Sequence, residues 1–112
     1  MSTGFGATAI ICANDESAAG AIHGARSHKL ALPDDLTIVG FDDAPFAQLL
    51  SPPLTTVSQP IDTMATRAVD MLSEILRGGK PSYETVKPRL VVRESASACH
   101  LPPLKHFTKC IS

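Results

Sequence analysis

Continuous apolar runs and apolar positions at helical spacing alternate along the first part of the chain. Residues 8–13 form an apolar run without alternation, which predicts a strand buried on both faces. Between residues 16 and 28, apolar residues recur at i, i+3, i+4 and i+7, which predicts a helix. A Pro-Asp-Asp turn at residues 33–35 leads into a second apolar run at residues 36–41. This order predicts a parallel βαβ unit.

The rest of the chain offers a further strand, a long helix and a returning strand. Residues 54–59 follow two prolines that disfavour helix, and we expect them to be extended. Pro60 suits a first helical position, and apolar residues at helical spacing continue to Leu76. Arg77 lies in the last turn, and two glycines end the helix. Residues 85–92 alternate weakly and predict a strand whose early part Pro88 confines to an edge. No periodicity follows residue 95.

The number of helices is too small for the predicted sheet. A parallel sheet carries helices on both of its faces, and these strands are too apolar to leave one face bare. The chain therefore either pairs with another chain or forms part of a larger fold. We expect the larger fold.

Composition and charge exclude several classes of protein. The chain has 112 residues, 44% of them hydrophobic and 19% charged, which indicates one globular domain at most. Its formal net charge is −1 and it has no Lys/Arg cluster, which argues against a nucleic-acid-binding face. No apolar run is long enough to cross a membrane, and no export signal is visible. Three scattered cysteines favour a reducing cytoplasm.

Polar side chains follow both strands of the predicted βαβ unit. Asn14 and Asp15 come after the first strand, and Asp42 and Asp43 come after the second. Ligands bind at the carboxyl ends of parallel strands. Amide and carboxylate groups together suit a ligand whose hydroxyls both donate and accept, such as a sugar. We expect Asp15 to cap the helix and Asp43 to serve the turn, whereas Asn14 and Asp42 point into the crevice.

Other chemistry fits the sequence less well. Paired carboxylates at strand ends also suit Mg²⁺-dependent phosphoryl transfer, but the chain lacks a phosphate-binding Gly-Lys-Ser/Thr loop. Ser17 and His23 are residue types of a hydrolase triad, but the chain has no Gly-x-Ser-x-Gly elbow to present the serine. The metal-capable side chains near the C-terminus have no familiar zinc spacing: Cys99, His100, His106 and Cys110. We therefore expect neither catalysis, nor a metal, nor a cofactor.

Several apolar residues have alternative interpretations. Met64 and Met71 fall on the apolar stripe of the second helix and are expected to fill a core. Phe46, Leu49 and Leu50 cluster beside a turn, where they either lie under a loop or form a subunit interface. The spacing alone does not decide between the two.

Four ordered segments resemble the lactose/galactose repressor (LacI/GalR) family of transcriptional regulators. They are residues 8–15, 33–43, 52–57 together with Gln59, and 90–95, and the resemblance covers about residues 7–98. It implies that residues 1–98 form the C-terminal portion of an effector-binding domain with a periplasmic-binding-protein-like fold. The expected α/β fold is partial: a βαβ unit of the C-terminal lobe, a crossover strand, a helix of the other lobe and a returning strand. Residues 99–112 resemble nothing in the family and are expected to be an unstructured or non-family tail.

The resemblance also implies roles for individual residues. Asn14 and Asp42 match positions that hydrogen-bond the effector, and Gln59 matches a cleft position near the crossover between lobes. Residues at four further positions match those used for homodimer contact through the C-terminal lobe: Ala19, His23, Leu49 and Leu50. This match favours the interface interpretation of the loop leucines.

The expected function is effector sensing within a cytoplasmic, LacI-type transcriptional regulator. The effector would be a sugar or another small metabolite. Operator DNA would be bound only through a helix-turn-helix domain that this chain lacks, and no membrane is involved. We also expect the chain to be a fragment that binds neither effector nor operator alone. The alternative is a periplasmic-type sugar-binding transport protein, against which the missing export signal and the Pro-Pro-Leu-Thr-Thr segment argue.

Overall fold

The computed structural model describes residues 6–98, and the predicted tail lies outside them. The elements in chain order are β1 (Ala9–Ile11), α1 (Asp15–Ser27), β2 (Thr37–Val39), a 3₁₀ turn (Ala47–Leu49), β3 (Thr56–Ser58), α2 (Ile61–Leu76) and β4 (Arg89–Val91). Strands β1 and β2 are parallel, with Ile10 opposite Ile38. Strands β3 and β4 are antiparallel. The predicted α/β order is confirmed.

The segment containing β3 continues the sheet beyond β2. The backbone N–H of Gly40 donates to Thr55 O at 2.9 Å, and that of Asp42 donates to Val57 O at 2.9 Å. The crossover segment therefore runs beside the C-terminal end of β2, where the sequence predicts ligand-binding side chains.

Helix α1 packs on the sheet through small apolar residues. Ala18, Ile22 and Ala25 recur at helical spacing, and all three are buried. Alanine allows the helix backbone to approach the strands closely. These residues form one core with buried side chains from β2 and the loops on either side of it: Leu36, Ile38, Ala47 and Leu54.

Two burial predictions are wrong for the described residues. Strand β1 is not buried on both faces, because Ile11 is 82% exposed. None of the residues of α2 is buried, so Met64 and Met71 do not fill a core here. The physical reason is that residues 6–98 place no second layer over these surfaces. Such uncovered apolar faces are expected for one portion of a larger fold.

Helix α2 ends as its sequence predicts. The N–H of Arg77 donates to Ser73 O and Glu74 O, and Gly78 follows with φ 90°. This left-handed conformation favours glycine after a helix. Neither helix in the described part of the chain is both long and apolar enough to cross a membrane.

A surface ion pair fastens α2 to the loop before β4. Arg67 donates from Nε and Nη2 to the carboxylate of Glu84, with distances of 2.8–3.0 Å. The hydrogen bond and the charge of Arg67 lower the pKa of Glu84, and Glu84 raises the pKa of Arg67. Since both side chains are substantially exposed, solvent screens this pair.

Candidate functional site

The first polar residue after β1 caps helix α1. Asn14 is extended, with φ −155°, and its Oδ1 accepts a hydrogen bond from Ser17 N at 2.8 Å. The prediction that Asp15 caps the helix is therefore wrong. Residue 14 lies before the first helical turn, where its side chain reaches the unpaired amides, whereas Asp15 is already helical. The Asn14 Nδ2 group remains as a donor at this edge of the sheet.

Asp15 is instead fully buried and joins three segments. Its Oδ1 accepts from Thr56 Oγ1 at 2.6 Å, and its Oδ2 accepts from the N–H of Ala44 at 2.6 Å. Both carboxylate oxygens therefore have a donor, as a buried carboxylate requires. The contacts fasten the start of α1 to the turn after β2 and to strand β3.

The turn after β2 has an uncommon backbone conformation. Asp42 has φ 117° and Asp43 has φ 56°, both in the region that favours glycine. Each such residue costs on the order of 1–3 kcal/mol and persists only where its surroundings fix it. The N–H of Asp42 is held by Val57 O at 2.9 Å. Strained backbone of this kind concentrates at ligand sites and switch regions.

Two of the predicted ligand-binding residues contact each other. Gln59 Nε2 donates to Asp42 Oδ1 at 2.7 Å, and this pair is exposed to solvent. Asn14 follows β1, which lies next to β2 in the sheet. The structure thus brings Asp42 and Gln59 together at the sheet edge where Asn14 also lies.

Asp43 faces a different partner. Its Oδ1 accepts from Arg93 Nη2 at 2.8 Å, and the side chains of Asp43 and Arg93 are 22% and 20% exposed. Arg93 also donates from Nη1 to Leu54 O at 2.9 Å. Sequence reasoning assigned no role to Arg93, because its partner lies 50 positions earlier in the chain. Asp43 is a structural residue of the turn, as predicted, and its side chain fastens the turn to Arg93 by a long-range ion pair.

The four residues predicted to form a dimer contact differ in exposure. Leu49 is 79% exposed on the 3₁₀ turn, whereas Leu50 is partly buried and packs against the core. His23 is exposed on α1, and Ala19 is half-buried. Leu49 and His23 are thus open to a partner, and Leu50 has a role within the fold.

The metal-capable side chains and the thiol of residues 6–98 differ from what a metal site or a reactive cysteine requires. No group of three or more His, Cys, Asp or Glu side chains in this region is arranged to hold a metal ion. Asp42 and Asp43 turn to different partners, Gln59 and Arg93. Cys12 is half-buried, and burial raises the pKa of its thiol, which makes it less reactive. The Cys and His residues of the tail lie outside the described residues.

The βαβ unit, the crossover strand and the polar strand ends define a class of ligand-binding domain. Residues 3–96 match the model of the periplasmic binding protein-like domain family. The chain belongs to this family, and its relatives are LacI/GalR-type transcriptional regulators.

Individual relatives match most of this chain but contain much more sequence. The HTH-type transcriptional regulator MalR of Streptomyces coelicolor is 44% identical over 94 residues, covering 81% of this chain and 27% of MalR. A LacI-type transcription regulator from Bifidobacterium animalis superposes with a TM-score of 0.78 at 42% identity, covering 88% and 36% of the two chains. The regulator CelR in complex with cellobiose superposes with a TM-score of 0.77 at 30% identity, covering 80% and 28%. The chain thus spans about a quarter to a third of these proteins.

Proposed function

We propose that this chain supplies one wall of the effector site of a sugar-responsive transcriptional regulator. The observation that carries the proposal is the contact between Asp42 and Gln59 at the C-terminal end of β2. Both side chains were expected to be ligand-binding residues, and they stand at the place where α/β sheets bind ligands. The solved complex of CelR with cellobiose supports a sugar as the class of effector.

The chemistry of these groups suits a polyhydroxylated ligand. Within residues 6–98, the hydrogen bond from Gln59 occupies Oδ1 of Asp42, and Oδ2 is left to accept from a sugar hydroxyl. Asn14 uses its Oδ1 for the helix cap, so its Nδ2 is the group that would donate. A carboxyl acceptor and an amide donor at one sheet edge would bind hydroxyls of a sugar.

The remaining parts of the proposal concern the whole regulator. Operator DNA would be bound by a helix-turn-helix domain, as the name of the MalR relative indicates for that protein. Two copies would associate through a surface that includes Leu49 and His23, both exposed here. The chain would act in the cytoplasm as a sensor without catalytic activity.

Sugar binding by a hybrid protein tests the proposal. Residues 6–98 of this chain would replace the matching segment of CelR, and cellobiose would be titrated into the hybrid by calorimetry. We expect saturable binding of cellobiose, and none to the 112-residue chain alone. A hybrid that unfolds cooperatively but binds no cellobiose, while CelR binds it under the same conditions, would contradict the proposal.

A further inference from the structure

Arg93 contacts two separate segments through three hydrogen bonds. Its Nη2 donates to Asp43 Oδ1 at 2.8 Å, and its Nη1 donates to Leu54 O at 2.9 Å. Its backbone N–H donates to Thr55 Oγ1 at 2.9 Å. One residue therefore joins the turn after β2 to the segment that leads into β3.

The turn that Arg93 holds is the one that presents Asp42. Asp42 and Asp43 both have positive φ, so this backbone needs anchors on either side. On the C-terminal side, the buried Asp15 accepts the N–H of Ala44 at 2.6 Å. The Asp43 side chain is anchored by Arg93 at 2.8 Å. Removing Arg93 takes away the ion pair of the Asp43 side chain and leaves the strained pair held by backbone N–H contacts, from Asp42 to Val57 O and from Ala44 to Asp15.

We propose that Arg93 is a positioning residue, which fixes Asp43 and thereby orients the neighbouring Asp42 carboxylate toward Gln59. Arg93 is assigned no contact with the ligand. A planar guanidinium can reach Asp43 and Leu54 O at once, whereas a lysine ammonium is a single point of charge on a flexible stem. The consequence for ligand affinity rests on the function proposed above. The effect on the turn does not, and it can be measured without a ligand.

The same contacts connect the site to the β3–β4 ribbon. Arg93 follows β4, and Leu54 and Thr55 precede β3. Strand β3 also holds the N–H of Asp42 through Val57 O at 2.9 Å. A shift of this ribbon relative to β2 would therefore change the turn, and a ligand held by Asp42 would resist that shift. Arg93 links the segment after β4 to the turn through its side chain, by the ion pair with Asp43.

Amide hydrogen exchange on the full 112-residue chain tests the positioning role. The measured quantity is the exchange rate of the Asp42 N–H divided by that of the Ile38 N–H. Ile38 donates to Ser95 O at 2.9 Å in the core and reports overall stability. We expect Arg93→Lys to raise this ratio about tenfold, in line with the loss of a charge-assisted hydrogen bond. The side-chain amide resonances of Gln59 should move toward those of a solvated glutamine.

A matched substitution controls for the loss of an arginine ion pair. Arg67→Lys disrupts the forked contact between Arg67, on α2, and Glu84, in the loop before β4. It should leave both the exchange ratio and the Gln59 resonances unchanged. Asp43→Asn replaces the side chain that pairs with Arg93 by an uncharged one of the same shape, and it should reproduce the effect of Arg93→Lys. If Arg93→Lys fails to fold, Asp43→Asn decides the question.

Either of two results would overturn the proposal: an unchanged ratio in Arg93→Lys and Asp43→Asn, or an equal change in Arg67→Lys. In the CelR hybrid, Arg93→Lys should also weaken cellobiose binding about tenfold. A hybrid that binds no cellobiose would contradict the proposed function. The exchange ratio would still test the positioning role, because it is measured without a ligand. A hybrid whose affinity is insensitive to Arg93→Lys would refute the positioning role and leave the proposed function standing.

Discussion

The backbone of Gly40 passes directly over the carboxylate of Asp15. A Cβ at residue 40 would overlap Asp15 Oδ1 and would come within 2.9 Å of Leu54 Cδ2. Asp15 cannot move away easily, because Thr56 Oγ1 and Ala44 N hold its two oxygens at 2.6 Å. Glycine is required here by close approach rather than by a left-handed backbone.

We expect Gly40→Ala to destabilise the chain by about 1–3 kcal/mol, the usual cost of forcing a methyl group into a packed site. The free energy of unfolding would be measured by urea denaturation. Gly20→Ala is the matched control, because a Cβ at residue 20 meets no atom within 4 Å. That substitution lies in α1 and should stabilise the chain by about 0.5–1 kcal/mol. Equal effects of the two substitutions would refute the packing described here.

Two isoleucines on adjacent strands should respond differently to truncation. Ile38 is 0% exposed and lies at the centre of the core, so Ile38→Ala should cost about 2–5 kcal/mol of unfolding free energy. Ile11 is 82% exposed, and Ile11→Ala should cost less than about 1 kcal/mol. Thermal or urea unfolding of both variants measures the difference. Similar losses would mean that the face of β1 bearing Ile11 is covered.

The second strand and the bounds of α2 were predictable from sequence because their signals are local. The apolar run of residues 36–41 predicted the second strand, although β2 itself ends at Val39. The Pro and Gly residues around α2 mark where that helix begins and ends. Asn14 and Asp15 were harder to assign, because a shift of one residue exchanges a helix cap for a buried carboxylate. The long-range pair of Asp43 and Arg93 leaves no local signal at all.

Local sequence patterns also could not predict which apolar surfaces are buried. Apolar spacing correctly indicates that α2 has an apolar face, since Val69 and Leu72 lie on it. What covers such a face depends on residues elsewhere in the fold. Both side chains are more than half exposed in the described chain, at 64% and 56%.

The pair of Arg67 and Glu84 should respond to acid. The hydrogen bond and charge of Arg67 lower the pKa of Glu84 below its ordinary value of 4.5. A carboxylate with a lowered pKa stabilises the folded state at pH values above its unfolded pKa, and this contribution is lost as the pH falls through the folded pKa. We therefore expect the pair to persist at neutral pH and to be lost below pH 4.5.

An NMR titration of the Glu84 side-chain carbonyl carbon measures this shift. Its midpoint should lie below the ordinary value of 4.5. Arg67→Gln should return the Glu84 midpoint toward the ordinary value. A midpoint that Arg67→Gln leaves unchanged would show that the ion pair is not the cause.

Leu49 tests the proposed association of two copies. In the CelR hybrid, Leu49→Asp should raise the dissociation constant of the dimer about tenfold or more, since a charge would replace an exposed apolar contact. Sedimentation velocity over a range of concentrations measures this constant. Tyr83→Asp is the control, because Tyr83 is fully exposed in the loop before β4. Equal effects of the two changes, or no effect of Leu49→Asp, would exclude Leu49 from the interface.

The most direct test of the proposed effector site is the affinity of the hybrid for cellobiose with and without the Asp42 carboxylate. A hydrogen bond to a charged group contributes about 1.5–3 kcal/mol. Asp42→Ala should therefore weaken cellobiose binding roughly tenfold to more than a hundredfold in calorimetry. Asp34→Ala, at an exposed carboxylate in the loop before β2, should leave the dissociation constant unchanged. An unchanged dissociation constant for Asp42→Ala would contradict the role of Asp42 at the centre of this site.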